Sequence, residues 1–234
     1  MKQLRIFAIL MAAVLMAGCD KNEDQDTGVG DVMIVSKQVG LNNVYGLSMY
    51  AYTFSEFSTV KAVSSADTAK IYTLKSNEGY KSSFYFETPD AEFTATKPVA
   101  STFNFSAIFE NGARQAFDDI LSDKALLPAS IDTCEYNTKK HLLRVTWTPV
   151  TDAQGYAINI FDGSTLIFGS QELVSTAKAY SVSTNGNGWA SGLPPVSGKT
   201  YTVKLFAYLY ESVPKASYNI QAISIAEKTV VWGN

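Results

Sequence analysis

From Val32 onward apolar and polar residues alternate with a period of two almost everywhere, and no run of ten or more residues reads as an amphipathic helix. The alternation predicts strands over 32–39, 45–54, 58–64, 69–75, 81–87, 102–109 and 114–118. Its clearest stretch puts Phe103, Phe105, Ala107 and Phe109 on one face, with Thr102, Asn104 and Ser106 between them. Glu110-Asn111-Gly112-Ala113 follows, and Asn-Gly between two strand patterns predicts a two-residue hairpin with both central residues at positive φ. Pro89 and Pro98 punctuate the chain between strands, and residues 118–127 have room for one helical turn before Pro128.

Seven short strands in residues 32–128 fit an immunoglobulin-like sandwich. Leu127-Pro128-Ala129 marks a boundary, and residues 129–234 carry a second pattern. Leu143, Val145 and Trp147 share one strand face, as do Tyr156, Ile158 and Ile160, and then Tyr201, Val203, Leu205, Ala207 and Leu209. These three groups, with Leu193 ahead of Tyr201, resemble strands B, C and F of the fibronectin type III family. The resemblance implies a second sandwich with strand E near 179–183, although the stretch Thr184-Asn-Gly-Asn-Gly-Trp189 is longer and richer in glycine than that family usually has. The expected fold is all-β, with two tandem β-sandwich domains.

The N-terminus adds an address. Lys2 and Arg5 precede an apolar run from Ile6 to Ala17, the layout of a secretory signal peptide. That run is too short to span a bilayer, which takes about 20 residues. Leu15-Met16-Ala17-Gly18-Cys19 resembles the lipobox of bacterial lipoproteins, with Met16 where that motif usually has Leu. The resemblance implies cleavage after residue 18, lipidation of Cys19 and a membrane anchor through the lipid. Residues 20–31 are acid-rich, and no apolar side chain precedes Val29, so a flexible tether is expected. Asp20, Glu23, Asp24 and Asp26 after the cysteine resemble the surface-export signal of Bacteroidota lipoproteins. Asp directly after the cysteine marks inner-membrane retention in enterobacteria, and the wider acidic patch favours export to the outer-membrane surface.

Charge narrows the partners. The full chain has 19 basic and 22 acidic residues. Loss of residues 1–18 removes Lys2 and Arg5, which leaves 17 against 22 and a net charge of −5. That balance gives nucleic acid no electrostatic footprint. With Cys19 lipidated, Cys134 is unpaired, and it reads as a reactive thiol, as one half of an intermolecular bridge or as a small buried hydrophobe.

Catalytic chemistry finds no constellation. His141 is the only histidine and sits in a polar turn, so a His-based metal site or catalytic pair has no second member. Asp118, Asp119 and Asp123 match no calcium loop and read as a solvated helix start; Glu110 reads as a turn residue. No metal, cofactor or enzymatic activity is expected. One feature stands out. If Tyr201, Val203, Leu205 and Ala207 face inward, Phe206, Tyr208 and Tyr210 face outward, and Phe161 does so on the neighbouring strand. An aromatic row on a solvent side marks an interaction surface. It either packs against the first domain or a chain-terminal segment, or meets a protein partner, or stacks on a glycan. The expected protein is a non-enzymatic surface lipoprotein acting in recognition or assembly, with a glycan-binding accessory protein of a polysaccharide-uptake system or a structural, adhesin-type subunit as alternatives.

Overall fold

A computed structural model describes residues 26–77, 80–212 and 219–233. The expected signal peptide, Cys19 and the first part of the expected tether lie outside these residues. The chain is all-β, with a 12-stranded mixed sheet and a 3-stranded sheet. The first half holds β1 (Gly28–Val39), β2 (Asn42–Thr53), β3 (Phe57–Ser64), β4 (Asp67–Asn77), β5 (Tyr80–Glu87), β6 (Ser101–Phe109) and β7 (Arg114–Leu121). The second half holds β8 (Ser130–Asn137), β9 (Leu142–Thr148), β10 (Gly155–Asp162), β11 (Thr165–Gly169), β12 (Leu173–Val174), β13 (Ala179–Ser183), β14 (Thr200–Tyr210) and β15 (Ile220–Val231). Among the described residues a single 3-10 turn covers Asp90–Glu92.

The large sheet runs β11-β10-β14-β15-β1-β2-β5-β4-β3-β6-β7, with β12 beside β10; the small one runs β13-β9-β8. All neighbours are antiparallel except β1 and β15, which pair in parallel from Ile34↔Ala222 to Lys37↔Ile225. The first and last strands of the described chain therefore join the two halves by backbone. Ser36 Oγ, fully buried, also donates 2.6 Å to the carbonyl of Leu126 and pins the connecting segment to β1.

Two cores lie on the same side of this sheet. In the first, Val32, Ile34, Met49 and Ala51 meet Val60, Ala62, Phe103 and Phe105. The strand path curls until β7 returns beside β1. There the closure is made by side chains: Gln115 Oε1 accepts from Gly28 N at 2.6 Å, and Asp119 Oδ2 accepts from Val32 N at 2.8 Å. In the second core, Leu143, Val145 and Trp147 of β9 face Tyr156, Ile158, Ile160, Tyr201, Val203, Leu205 and Ala207. Tyr156 Oη accepts from Val150 N and Tyr201 Oη accepts from Val196 N, each at 2.8 Å, so two buried phenols tie down the turns before their strands.

Several expectations are corrected. The first strand begins at Gly28 instead of Val32, because the backbone of Gly28 and Gly30 lies against the rings of Phe57, Phe117 and Phe105. Residues 118–121 extend β7 by pairing with β6 up to Ser101↔Leu121, which leaves no helical turn there. The hairpin after Phe109 has three loop residues. Gly112 N donates to the Phe109 carbonyl, and Gly112 alone takes positive φ (87°), the pattern of a type I turn closed by a left-handed residue. Leu193 is 40% exposed and belongs to no core.

Candidate functional site

Strand alternation sorts β14 into two faces. Tyr201, Val203, Leu205 and Ala207 are buried, while Thr202, Lys204, Phe206, Tyr208 and Tyr210 are half-buried on the outer side. The Phe206 and Tyr208 rings lie 6.4 Å apart at 8°, and Tyr208 and Tyr210 lie 6.4 Å apart at 31°. Ala157 and Gly155 of β10 pair with Phe206 and Tyr208, and the Glu172 side chain lies over Gly155. Ile225 and Ile223 of β15 flank the same two aromatics on the other side. Phe161 sits further along β10, half-buried, with Lys204 Nζ 5.3 Å from its ring centre.

The apolar face does not stop at the aromatic row. Ile223 and Ile225 pair with Val35 and Lys37 of β1. Beyond them Gly46 lies opposite Val35, and the Phe93 ring rests against Gly46. Phe93 belongs to the segment after β5, which the isolated bridge Tyr45↔Thr94 holds across the sheet. Between this segment and Phe206 runs a cleft of about 770 Å³. Charges line its rim. Lys37 Nζ lies 2.6 Å from Asp90 Oδ1 and 3.8 Å from the centre of the Phe93 ring. The hydrogen bond from Lys37 holds the Asp90 carboxyl below its usual range. Lys204 lies 3.6 Å from Glu227.

At the far end of the row, burial pushes the Tyr208 phenol up to about 12, and the negative charge of Glu172 adds to this. The Tyr210 phenol is raised by burial and by its hydrogen bond with Glu172. Both phenols are therefore protonated donors at neutral pH. Tyr210 N donates 2.8 Å to Gln154 Oε1, which fixes the end of the strand.

A second cluster was not legible in sequence. Asp31, Asp119 and Glu211 place carboxylate oxygens within 4.8 Å of one another, at the fork where β1 leaves β15 and meets β7. Asp31 Oδ2 accepts from Ile220 N at 3.0 Å, and Asn219 Nδ2 donates 3.2 Å to Glu211 Oε2. Burial raises the Asp31 carboxyl to about 7 and also raises that of Asp119. Three carboxylates are a donor set that a hard cation accepts. Here Asp31 and Asp119 already serve as acceptors for backbone N–H groups at the fork. Asp31 lies on β1, Asp119 on β7 and Glu211 just past the end of β14, far apart in sequence, so no local spacing announces them.

The other singled-out residues stay apart. Asp118 points away from Asp119 on β7, and the Asp123 carbonyl accepts from Lys97 Nζ. Glu110 makes a 2.8 Å ion pair with Lys81. His141 is exposed in a turn with φ of 51°. Cys134 is half-buried against the second core, and burial pushes its thiol up to about 11, which keeps it protonated. A protonated thiol is a poor nucleophile.

No family model and no curated protein match the chain. Solved structures that superimpose on it include a cytokine receptor complex at 14% identity, covering 87% of this chain and 97% of that one with a TM-score of 0.31. The 47-kilodalton lipoprotein Tp47 of Treponema pallidum is 11% identical over 88% of this chain and 50% of its own, with a TM-score of 0.40. A bacterial ice-binding adhesin is 14% identical over 90% of this chain and 66% of its own, with a TM-score of 0.29. Superpositions this loose carry no argument about activity, so the functional reading rests on the chain's own residues.

Proposed function

We propose that this protein is a non-enzymatic lipoprotein, anchored through Cys19 in the outer membrane and facing the cell exterior, whose outer sheet surface recognises or assembles with a partner. Residues 32–128 are read as an immunoglobulin-like unit and residues 129–234 as a fibronectin type III-like unit. The separate cores and the Tyr201 hydroxyl bonded to Val196 N support that reading. The observation that carries the function is the half-buried row Phe206, Tyr208 and Tyr210, continuous with Ile223, Ile225 and Val35 and bordered by an open cleft. Rigid aromatics give large contact area at low entropic cost, which suits a recognition surface. The near-parallel Phe206 and Tyr208 rings support a glycan as the second reading, because aromatic rings stack on sugar faces.

Two experiments test this. Cys19→Ala should abolish incorporation of a fatty-acid analogue and release the protein from the membrane fraction; unchanged partition removes the anchor. Replacing Tyr208 and Tyr210 together by Ser should leave the melting temperature nearly unchanged while capture of the surface partner, or of glycans on an array, falls. A drop in melting temperature with capture intact assigns the row to packing instead.

A further inference from the structure

We infer that the end of the fold carrying Phe54, Tyr52 and Val29 seats on the lipid surface, with the Phe54 ring entering the bilayer interface. This rests on the reading of Cys19 as the lipid anchor. Seven residue steps separate Cys19 from Asp26, and at about 3.6 Å per step the tether reaches no further than about 25 Å. The chain enters the fold at one defined end. Thr53 Oγ1 donates 2.8 Å to the Thr27 carbonyl, and Asn111 Nδ2 donates 2.6 Å to Asp26 Oδ2. That end carries an exposed apolar group. Phe54 is 88% exposed and Val29 is 57% exposed. Tyr52, paired with Val29 across the strands, meets Phe54 edge-on at 5.3 Å.

A bilayer held within tether reach is the occupant this patch fits. A short tether turns a second contact into an intramolecular one with an effective concentration in the millimolar range, so one or two aromatic side chains suffice. The rings are amphipathic or apolar and suit the headgroup boundary. The neighbouring charges are mostly acidic: Asp26, Glu56 and Glu110, against Lys81. The seat therefore suits a neutral headgroup surface better than an anionic one. Leu41, 95% exposed, offers equal apolar exposure but sits past the other end of β1, about 40 Å away along the strand.

The test uses the lipidated full-length protein in phosphatidylcholine vesicles whose acyl chains carry bromine, a contact quencher of indole fluorescence. Phe54→Trp and Leu41→Trp variants are compared, with the wild type subtracting Trp147, Trp189 and Trp232. Both positions are exposed, so neither variant disturbs a core. The expected result is quenching of the F54W indole by about twofold or more, with the L41W indole unchanged, as interfacial insertion at one end requires. Adding anionic lipid should reduce the F54W quenching. Equal quenching at both positions, or none at either while the protein stays with the vesicles, overturns the seat and leaves the anchor standing. Protein that remains in the aqueous phase overturns the anchor reading itself.

Discussion

Asp31 shows how one side chain couples the fork of the sheet to pH. Its carboxyl titrates near 3.8 in an unfolded chain and near 7 here, mainly because burial opposes the charge. Between those values the folded protein holds a proton that the unfolded chain has released. The junction is therefore at full strength below about pH 4, weakens as pH rises towards 7, and stays weakened above that. The shift corresponds to at most about 4 kcal/mol. Asp119, raised for the same first reason, acts in the same direction. Asp31→Asn keeps an acceptor for Ile220 N and abolishes the titration. Its melting temperature should exceed that of the wild type at pH 8 and converge with it near pH 4. Parallel curves across that range would show that Asp31 is not charged at a cost. Trp147 tests a different force. It is 2% exposed and meets Tyr156 at 5.5 Å, and Trp147→Ala should cost about 3–5 kcal/mol through lost burial and a cavity. A chemical-denaturation loss below about 1 kcal/mol is incompatible with a core position. Its buried Nε1 lacks a hydrogen-bond partner, so Trp147→Phe should cost much less than alanine.

At the scale of the element, β1 depends on residues that carry no hydrophobic signal. A Cβ added to Gly30 would lie 2.8 Å from the ring of Phe105, which is fully buried and stacked on Phe117 at 5.3 Å. The ring has nowhere to move, so Gly30→Ala should destabilise the protein by about 1–3 kcal/mol, read as a lowered denaturation midpoint at unchanged slope. Unchanged stability would mean that the strand start is loose. The same fact explains why alternation located the body of β1 but not its beginning: Gly28 and Gly30 pack by absence of a side chain. Where side chains do the packing, the sequence was informative. The faces of β6, β9, β10 and β14 follow directly from Phe103 to Phe109, Leu143 to Trp147, Tyr156 to Ile160 and Tyr201 to Ala207. The β6–β7 turn was read one residue short because Asn111 bonds Asp26 and Ala113 through its side chain and never adopts positive φ. The Asp31, Asp119 and Glu211 cluster depends on strand order, which periodicity does not contain. The aromatic row was legible because its period of two survives any topology. Its neighbours Val35 and Gly46 were not, because only the parallel pairing of β1 with β15 brings them there.

That pairing governs the molecule as a whole. Each half has its own core, yet the edge of β15 from Ala222 to Ile225 is covered by β1, which belongs to the first half. Removing the first half would expose a row of unpaired backbone groups beside Ile223 and Ile225, which is a template for pairing with another chain. A fragment of residues 129–234 should therefore fold with a β-type spectrum but self-associate, and a synthetic peptide of residues 28–39 should bind it by strand addition and return it to a monomer. Analytical ultracentrifugation with and without the peptide reads both effects. In the peptide, Ser36→Pro should abolish capture, because proline cannot donate to a ladder and Ser36 lies within the paired stretch Ile34 to Lys37. A fragment that is monomeric alone, melts as the full protein does and ignores the peptide would show that β1 contributes nothing to the second half. The expected outcome makes β1 a shared strand. Its N-terminal end leads towards Cys19, the proposed anchor, and its C-terminal half completes the sheet that carries Phe206, Tyr208 and Tyr210. Loosening it should then weaken partner capture at the aromatic row without touching any residue of that row.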